Sequence, residues 1–145
     1  MSYSIDVNIL LYGSDESSPF HSRAVTFLES CATRDEPIYL CYLILMSYVR
    51  MATHSRIFTH PLTPNEALDN VERLAALPHV RLISERAGYL ELYRDVTKNT
   101  SVRANLVPDA HLASILRQHG VTTLYTNNVD DFKRLGFLDV RNPLV

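Results

Sequence analysis

The stretch SIDVNILLY, residues 4–12, decides the fold because it places an acidic residue inside an apolar segment. Side chains alternate between the two faces of an extended strand, so Asp6 shares a face with Ser4 and Asn8. An unpaired carboxylate on a buried face costs roughly several kcal/mol unless hydrogen bonds, a cation or protonation compensate it. The stretch therefore predicts a short buried strand that holds the Asp6 carboxylate in a fixed direction. A helix is predicted to follow over NILLY, and Asn8 is available to cap it.

The composition is that of an ordinary globular chain. Its 145 residues suit one domain, residues 1–145, with 46% hydrophobic and 21% charged residues. Because the formal net charge is −2, any contact with a nucleic acid must be local. Cys31 and Cys41 lack metal-site spacing and are predicted to be buried reduced thiols. We expect a cytoplasmic protein with no membrane segment, since no apolar run is long enough to cross a bilayer and no signal peptide is evident.

Strands that alternate with helices and never form hairpins indicate a parallel sheet covered on both faces. After the first strand, the predicted strands are VRLIS (residues 80–84), VTTLYT (121–126) and LDVRN (138–142). Residues 38–53 are almost entirely apolar, so they form either a strand running into a helix or one buried helix; their length favours helix over most of the stretch. The expected fold class is α/β, a three-layer α/β/α sandwich with a four- to five-stranded parallel sheet.

Cap residues, prolines and glycines predict the helix boundaries. Residues 63–66, TPNE, combine a cap threonine, a proline at the first helical position and a glutamate three residues after the cap. Gly88 is expected to weaken a helix over residues 86–98. Pro108 is predicted to open the helix DAHLASILRQH.

Several polar residues fall at one edge of the predicted sheet. In open parallel sheets, ligands bind outside the carboxyl ends of the strands. The polar residues at two such exits are Asp6, Asn8, Thr126, Asn127, Asn128, Asp130 and Asp131. Asp109 begins a helix and shares a stripe with Ala113 and Leu116, so we expect its side chain to face the core. Three acids are thus predicted to converge at this edge.

Most of these residues alone have a plainer explanation. Asp109 alone fits a first-turn acid favoured by the helix dipole. Asn128, Asp130 and Asp131 alone fit caps or turn residues. Asp6 is harder to explain in this way, because Asn8 is available to cap the helix without it. Their coincidence at one sheet edge, under a topology inferred on other grounds, favours a common site.

Clustered carboxylates repel one another, so such a site keeps a proton or recruits a cation. Oxygen-only ligands select hard ions such as Mg²⁺ or Mn²⁺. Such ions support phosphodiester hydrolysis with water as the nucleophile. The chain contains no glycine-rich phosphate loop, G-x-S-x-G elbow or H-E-x-x-H pair that supports a rival chemistry.

A second polar face lies on the apolar helix predicted within residues 38–53. Its i, i+4, i+7, i+11 spacing aligns Leu43, Ser47, Arg50 and His54. Arg50 is predicted either to form a buried ion pair with a carboxylate or to balance charge and contact phosphate beside the acids. Arg56 and Arg103 are candidate phosphate contacts, although solvated arginines are the commoner case.

These segments together resemble the PIN domain, and specifically the VapC-type ribonuclease toxins of bacterial toxin–antitoxin pairs. The matching segments are DVNILLYGSDESSPFH, VRMATHSRIFTHPLTPNEA, NLVPDAHLA, YTNNVDDF and VRNPL. They occur in order across nearly the whole chain, which is more specific than any single motif. The resemblance implies a PIN-like fold and a Mg²⁺- or Mn²⁺-dependent endoribonuclease that acts on RNA. It also implies a homodimer and a cognate antitoxin protein encoded beside the toxin.

The resemblance assigns roles to individual residues. Asp6 corresponds to the first acid of the family and Asp109 to the acid of its later helix. Thr126, Asn128 and Asp131 correspond to the last cluster, which usually reads T-x-D or T-x-N followed by D-F. One expected carboxylate is therefore an amide in this chain.

A second departure concerns the buried helix, where many PIN domains carry a glutamate and this chain has Ser47. Fewer acidic ligands should weaken metal binding and favour one ion completed by substrate phosphate. Glu85 and Glu91 cannot be assigned to this gap from the sequence.

The leading hypothesis is a metal-dependent endoribonuclease. Its predicted catalytic residues are Asp6, Asp109 and Asp131, of which Asp6 and Asp109 bind the metal; its supporting residues are Asn8, Ser47, Arg50, Thr126 and Asn128. One alternative is a catalytically weak PIN-like module that binds RNA or a protein partner without turnover. Another is a phosphatase that uses Asp6 as a nucleophile.

Overall fold

Strands and helices alternate along residues 2–137 and 139–145, which the computed structural model describes. The strands are β1 (Ser4–Ile5), β2 (Ile38–Cys41), β3 (Val80–Ile83), β4 (Thr123–Tyr125) and β5 (Asp139–Arg141). The helices are α1 (Val7–Ser14), α2 (His21–Thr33), α3 (Tyr42–Ala52), α4 (Pro64–Ala75), α5 (Tyr89–Thr97), α6 (Leu106–Gln118) and α7 (Val129–Arg134). The predicted alternation is confirmed. The predicted strand LDVRN begins at Leu138, which lies outside the described residues.

The strand pairings are all parallel. β1 pairs with β4, β4 pairs with β5, and β2 pairs with β3. A parallel bridge between Tyr3 and Ile38 joins the two groups, so the described strands follow the order β3-β2-β1-β4-β5. β1 and β4 are therefore neighbours, and the residues that follow these two strands lie side by side.

Residues 38–53 adopt the first of the two predicted alternatives, a strand that runs into a helix. β2 pairs with β3 along its whole length, from Ile38 opposite Val80 to Cys41 opposite Ile83. This pairing satisfies the backbone of the strand without a helix. The helix α3 begins at the next residue, Tyr42.

Two helix boundaries differ from the prediction. Gly88 does not weaken α5 but precedes it, with a φ of +83° that glycine adopts without strain. Leu106, and not Pro108, begins α6. Pro108 lies third in the helix, where its missing N–H is tolerated because first-turn N–H groups have no partner within the helix.

The helices form two packed groups that build the outer layers of the predicted α/β/α sandwich. Neighbouring helices contact one another within α1–α4 and within α5–α7, while β2 contacts both α3 and α6. Fully buried side chains of the core include Ile5, Leu40, Ile115, Leu116 and Leu124. Cys31 and Cys41 are buried free thiols, as predicted. No helix of the described residues combines the length and apolarity needed to cross a bilayer.

The predicted capping box at the start of α4 is present. The Glu66 N–H donates to Thr63 Oγ1 at 3.2 Å, and the Thr63 N–H donates to Glu66 Oε1 at 2.9 Å. The first turn of α4 therefore keeps two of its backbone donors satisfied by these side chains.

We expect Thr63→Ala to lower the free energy of unfolding by about 1 kcal/mol, because the N-cap hydrogen bond is lost. Urea denaturation measures this change. Thr63→Ser keeps the hydroxyl and is the matched control, so an equal loss in both variants would contradict the capping role.

Candidate functional site

Asp6 follows β1 directly and begins the site. The Val7 N–H donates to Asp6 Oδ1 at 2.7 Å, so Asp6 is the N-cap of α1. Asn8, the expected cap, lies inside α1. The helix starts immediately after the strand, and the side chain between them is the one that reaches the free N–H groups of the first turn.

Two further side chains hold the second oxygen of Asp6. Thr126 Oγ1 donates to Asp6 Oδ2 at 2.8 Å, and Asn8 Nδ2 donates to the same oxygen at 3.5 Å. Thr126 is fully buried and follows β4, the neighbour of β1. Burial raises the pKa of Asp6, and the hydrogen bonds from Thr126 and Val7 oppose this rise. The carboxylate is therefore oriented but electrostatically unfavourable.

Asp109 reaches the same edge from the first turn of α6. Asn128 Nδ2 donates to Asp109 Oδ2 at 2.9 Å, and the Asn128 N–H donates to Thr126 Oγ1 at 3.0 Å. Thr126 thus contacts Asp6 through its hydroxyl hydrogen and Asn128 through its oxygen. The two predicted metal ligands are linked through these two side chains.

Asp6 and Asp131 lie near enough to Asp109 for their negative charges to act on it. Burial raises the pKa of Asp109 to about 7, with additional contributions from the negative charges of Asp6 and Asp131. The hydrogen bond from Asn128 acts in the opposite direction. Asp131 is partly exposed on α7 and also pairs with Arg134 at 3.4 Å. Three acids that are distant in sequence are therefore brought to one edge of the sheet.

Among the described residues, no hydrogen bond or ion pair joins Ser47 or Arg50 to these acids. Ser47 is half-buried on α3, and Arg50 is exposed near the end of that helix. The buried ion pair considered for Arg50 is therefore wrong. Arg56 and Arg103 are also exposed, and the Arg103 guanidinium donates to Ser101 Oγ at 2.9 Å.

Two side-chain contacts at the ends of strands go beyond what the sequence predicts. Glu85 follows β3 and pairs with His111 of α6 at 2.9 Å, two residues beyond Asp109. Asn127 was placed at the exit of β4, but its contacts with distant segments were not foreseen. Because the ends of parallel strands meet at one edge, the position of Glu85 after β3 could have been predicted. No spacing in the sequence predicts that His111 is its partner.

The donor set fits a single hard divalent ion held by few ligands. No three His, Cys, Asp or Glu side chains form a ready-made metal cluster within residues 2–137 and 139–145. Asp6 and Asp109 nevertheless offer two carboxylates whose mutual repulsion a cation relieves. Mg²⁺ commonly takes only one or two protein carboxylates and completes its shell with water and substrate phosphate. The residues present therefore fit a Mg²⁺ or Mn²⁺ ion.

Comparisons with known proteins agree with this geometry. The family model described as the PIN domain matches residues 3–138. Ribonuclease VapC48 of Mycobacterium tuberculosis is 35% identical over 143 residues, which cover 99% of this chain and 98% of that protein.

Solved structures share the fold at low sequence identity. VapC20 of Mycobacterium tuberculosis, described as a sarcin–ricin loop cleaving toxin, superposes with a TM-score of 0.68 at 15% identity, covering 96% of this chain and 98% of that one. A chain of the VapBC2 complex of Rickettsia felis, bound to a promoter DNA fragment, superposes with a TM-score of 0.66 at 20% identity, covering 98% of both chains. These likenesses establish the three-dimensional fold.

We expect the metal-free protein to lose stability as the pH rises from about 4 to about 7, because Asp109 must ionise beside Asp6 and Asp131. The sign follows from the raised pKa: the folded state binds the proton more tightly, so its stabilising effect is complete below the unfolded pKa and lost above pH 7. Asp109→Asn should flatten this dependence and raise the melting temperature at pH 8 in a chelator. Thermal unfolding from about pH 4 to pH 8 measures the pH dependence of stability and the melting temperature of the variant. A variant with an unchanged pH profile would contradict the electrostatic coupling.

Proposed function

This chain belongs to the PIN-domain family of VapC-type ribonucleases, and from that premise we propose that it hydrolyses RNA phosphodiester bonds with a divalent ion held by Asp6 and Asp109. The observation that carries the proposal is the convergence of Asp6, Asp109 and Asp131: burial raises the pKa of Asp109 to about 7, and the negative charges of Asp6 and Asp131 add to this rise. Repulsion between these carboxylates does not stabilise the folded state, so stability alone does not explain why they lie together. The activity is that of an endoribonuclease toxin in a toxin–antitoxin pair.

The side chains around the acids orient them for this task. Thr126 and Asn8 hold Asp6 Oδ2, while the N-terminus of α1 holds Oδ1. Asn128 holds Asp109 Oδ2. When bound, Mg²⁺ or Mn²⁺ neutralises phosphate charge and activates water for in-line attack. Asp131 adds negative charge at the exposed side of the cluster.

The small number of acidic groups gives the substrate a role in assembling the site. Ser47 and Asn128 are neutral where the resemblance leads us to expect carboxylates, so the protein supplies little charge to hold a cation by itself. Asp6 and Asp109 would hold one ion, and an RNA phosphate would supply further oxygen ligands. Exposed arginines, including Arg50, Arg56 and Arg103, are candidates for balancing the charge of the RNA backbone.

An antitoxin protein is the proposed partner of this chain. Related folds were solved as VapBC assemblies, one of them with promoter DNA. An antitoxin that covers the acidic edge for much of the time is compatible with the modest net charge of −2. The homodimer and the cytoplasmic location implied at the outset remain part of this proposal.

A catalytically weak module that binds RNA or a protein is the second candidate. The observation that favours it is the absence of a three-residue metal cluster among the described residues. Calorimetry with Mn²⁺ separates the two candidates. Absence of measurable binding, with and without RNA, supports the inert module.

We expect the purified protein to cleave RNA with Mg²⁺ or Mn²⁺ and to stop in a chelator. Asp6→Asn and Asp109→Asn should each reduce the rate by more than about a hundredfold, because even outer partners of a metal ligand contribute 10–100-fold. Asp131→Asn should cause a smaller loss. Nucleotide-resolution mapping of cleaved total RNA measures the rate and identifies the bonds.

The matched control for these charge changes is Asp95→Asn. Asp95 lies on the surface of α5 and pairs with Lys98 at 3.0 Å and Arg117 at 3.4 Å. Its variant should cleave RNA like the wild type. Cleavage that survives both active-site substitutions and chelation would refute the assignment.

Expression of the chain in a bacterial host should arrest growth, whereas expression of Asp6→Asn should not. Co-expression of the small protein encoded beside it should restore growth of cells that produce the wild type. Colony counts after induction measure both effects. Normal growth with active wild-type protein would reject the toxin role and leave the ribonuclease assignment intact.

A further inference from the structure

Hydrogen bonds through three asparagines connect segment 141–144 to the edge of the sheet that carries Asp6. Asn142 Nδ2 donates to Asn127 Oδ1 at 3.1 Å. The Asn127 N–H in turn donates to Asn8 Oδ1 at 3.2 Å, and Asn8 Nδ2 donates to Thr126 Oγ1 at 3.3 Å. Thr126 is the residue that holds Asp6. The connection joins positions separated by more than a hundred residues in the sequence.

We propose that Asn142 is a positioning residue of the active site, which fixes the loop 126–128 and through it the orientation of Asp6 and Asp109. The inference rests on the proposed metal-dependent function and adds segment 141–144 to its machinery. Asn142 contacts neither acid directly. It acts through Asn127, whose backbone and side chain connect α1 with Asn142.

The loop 126–128 needs such support because it holds both acids at once. Thr126 holds Asp6 and Asn128 holds Asp109, while neither residue belongs to a regular element. The Thr126 N–H donates to the Arg141 carbonyl at 2.9 Å, one residue before Asn142. Segment 141–144 therefore contacts the loop through the backbone of Arg141 and through the side chain of Asn142.

The chemistry of the connection suits its surroundings. Asn8, Asn127 and Asn142 are neutral, so they orient the acids without adding negative charge beside them. An amide offers a donor and an acceptor together, and both groups are used here. Asn142 Oδ1 accepts from the Leu144 N–H at 2.9 Å while its Nδ2 reaches Asn127.

Segment 141–144 has anchors that do not pass through the amides. Leu144 is fully buried, and the Arg23 guanidinium donates to its carbonyl at 2.8 Å. Arg23 lies on α2 and touches no residue of the acidic cluster in the described contacts. Arg23→Gln therefore loosens the same segment without breaking the amide connection, which makes it the matched control.

The experiment compares Asn142→Ala, Tyr12→Phe and Arg23→Gln with the wild type. Tyr12 OH accepts from Asn127 Nδ2 at 3.3 Å, so Tyr12→Phe removes a second support of Asn127 by a conservative change that leaves the ring in place. Mn²⁺ affinity is measured by calorimetry. Hydrogen exchange of the Asn127 and Asn128 amides is measured in a chelator, where no metal contributes.

Asn142→Ala should weaken Mn²⁺ binding by about tenfold, the usual effect of losing an outer partner of a metal ligand. Its Asn127 and Asn128 amides should exchange about fivefold faster, the equivalent of one lost hydrogen bond. Tyr12→Phe should change both quantities in the same direction by less. Arg23→Gln should leave both near wild type.

Equal changes in Asn142→Ala and Arg23→Gln would overturn the proposal, since the segment would then act only through general stability. Unchanged exchange and affinity in both Asn142→Ala and Tyr12→Phe would also overturn it. If the wild type binds no Mn²⁺ with or without RNA, the proposed metal function fails. The exchange measurement still decides whether Asn142 orders the loop.

Discussion

The hydrogen bonds of one buried residue, Asp6, join the first strand, the first helix and the neighbouring strand β4. Asp6 lies where β1 becomes α1, and its N–H donates to the Tyr125 carbonyl of β4 at 2.9 Å. Its two side-chain oxygens are taken by the Val7 N–H and the Thr126 hydroxyl. The same residue therefore starts a helix, extends the central strand pair and presents an oriented carboxyl group. Its capping role is a structural fact, and the proposed metal-binding role would use the same fixed orientation.

The second constraint is that the fold brings like charges together. Asp109 is carried to the same edge by α6, and packing of the apolar stripe Ala113 and Leu116 holds that helix against the core. Burial of this stripe offsets the cost of desolvating Asp109 near the charges of Asp6 and Asp131, which raises its pKa. Under the proposed function, stability and activity are in opposition at this position, a conflict expected at active sites.

Much of the fold follows from short-range rules, while the fine geometry of the site does not. Alternating strand and helix patterns predict the parallel sheet, and strand exits predict that Asp6 and Thr126 meet. Ser47 and Arg50 show where the reasoning stops: they share a predicted helix face, but among the described residues no hydrogen bond or ion pair joins either of them to the acids. A shared helix face therefore does not imply a contact with the site. The pairing of Glu85 with His111 depends on how α6 crosses the sheet, which residue spacing does not encode.

The neutral residues of the site have a consequence for how it binds. Asn128 donates to Asp109 where a carboxylate would repel it, and Ser47 adds no charge. Each replacement reduces the repulsion in the free protein and also reduces the attraction for a cation. Under the proposed function, such a site would bind an ion more strongly when an RNA phosphate shares it. By linkage, the ion would then strengthen RNA binding by the same factor as RNA strengthens ion binding. We therefore propose that the neutral residues reduce repulsion in the free protein and make assembly of the active site depend on the substrate.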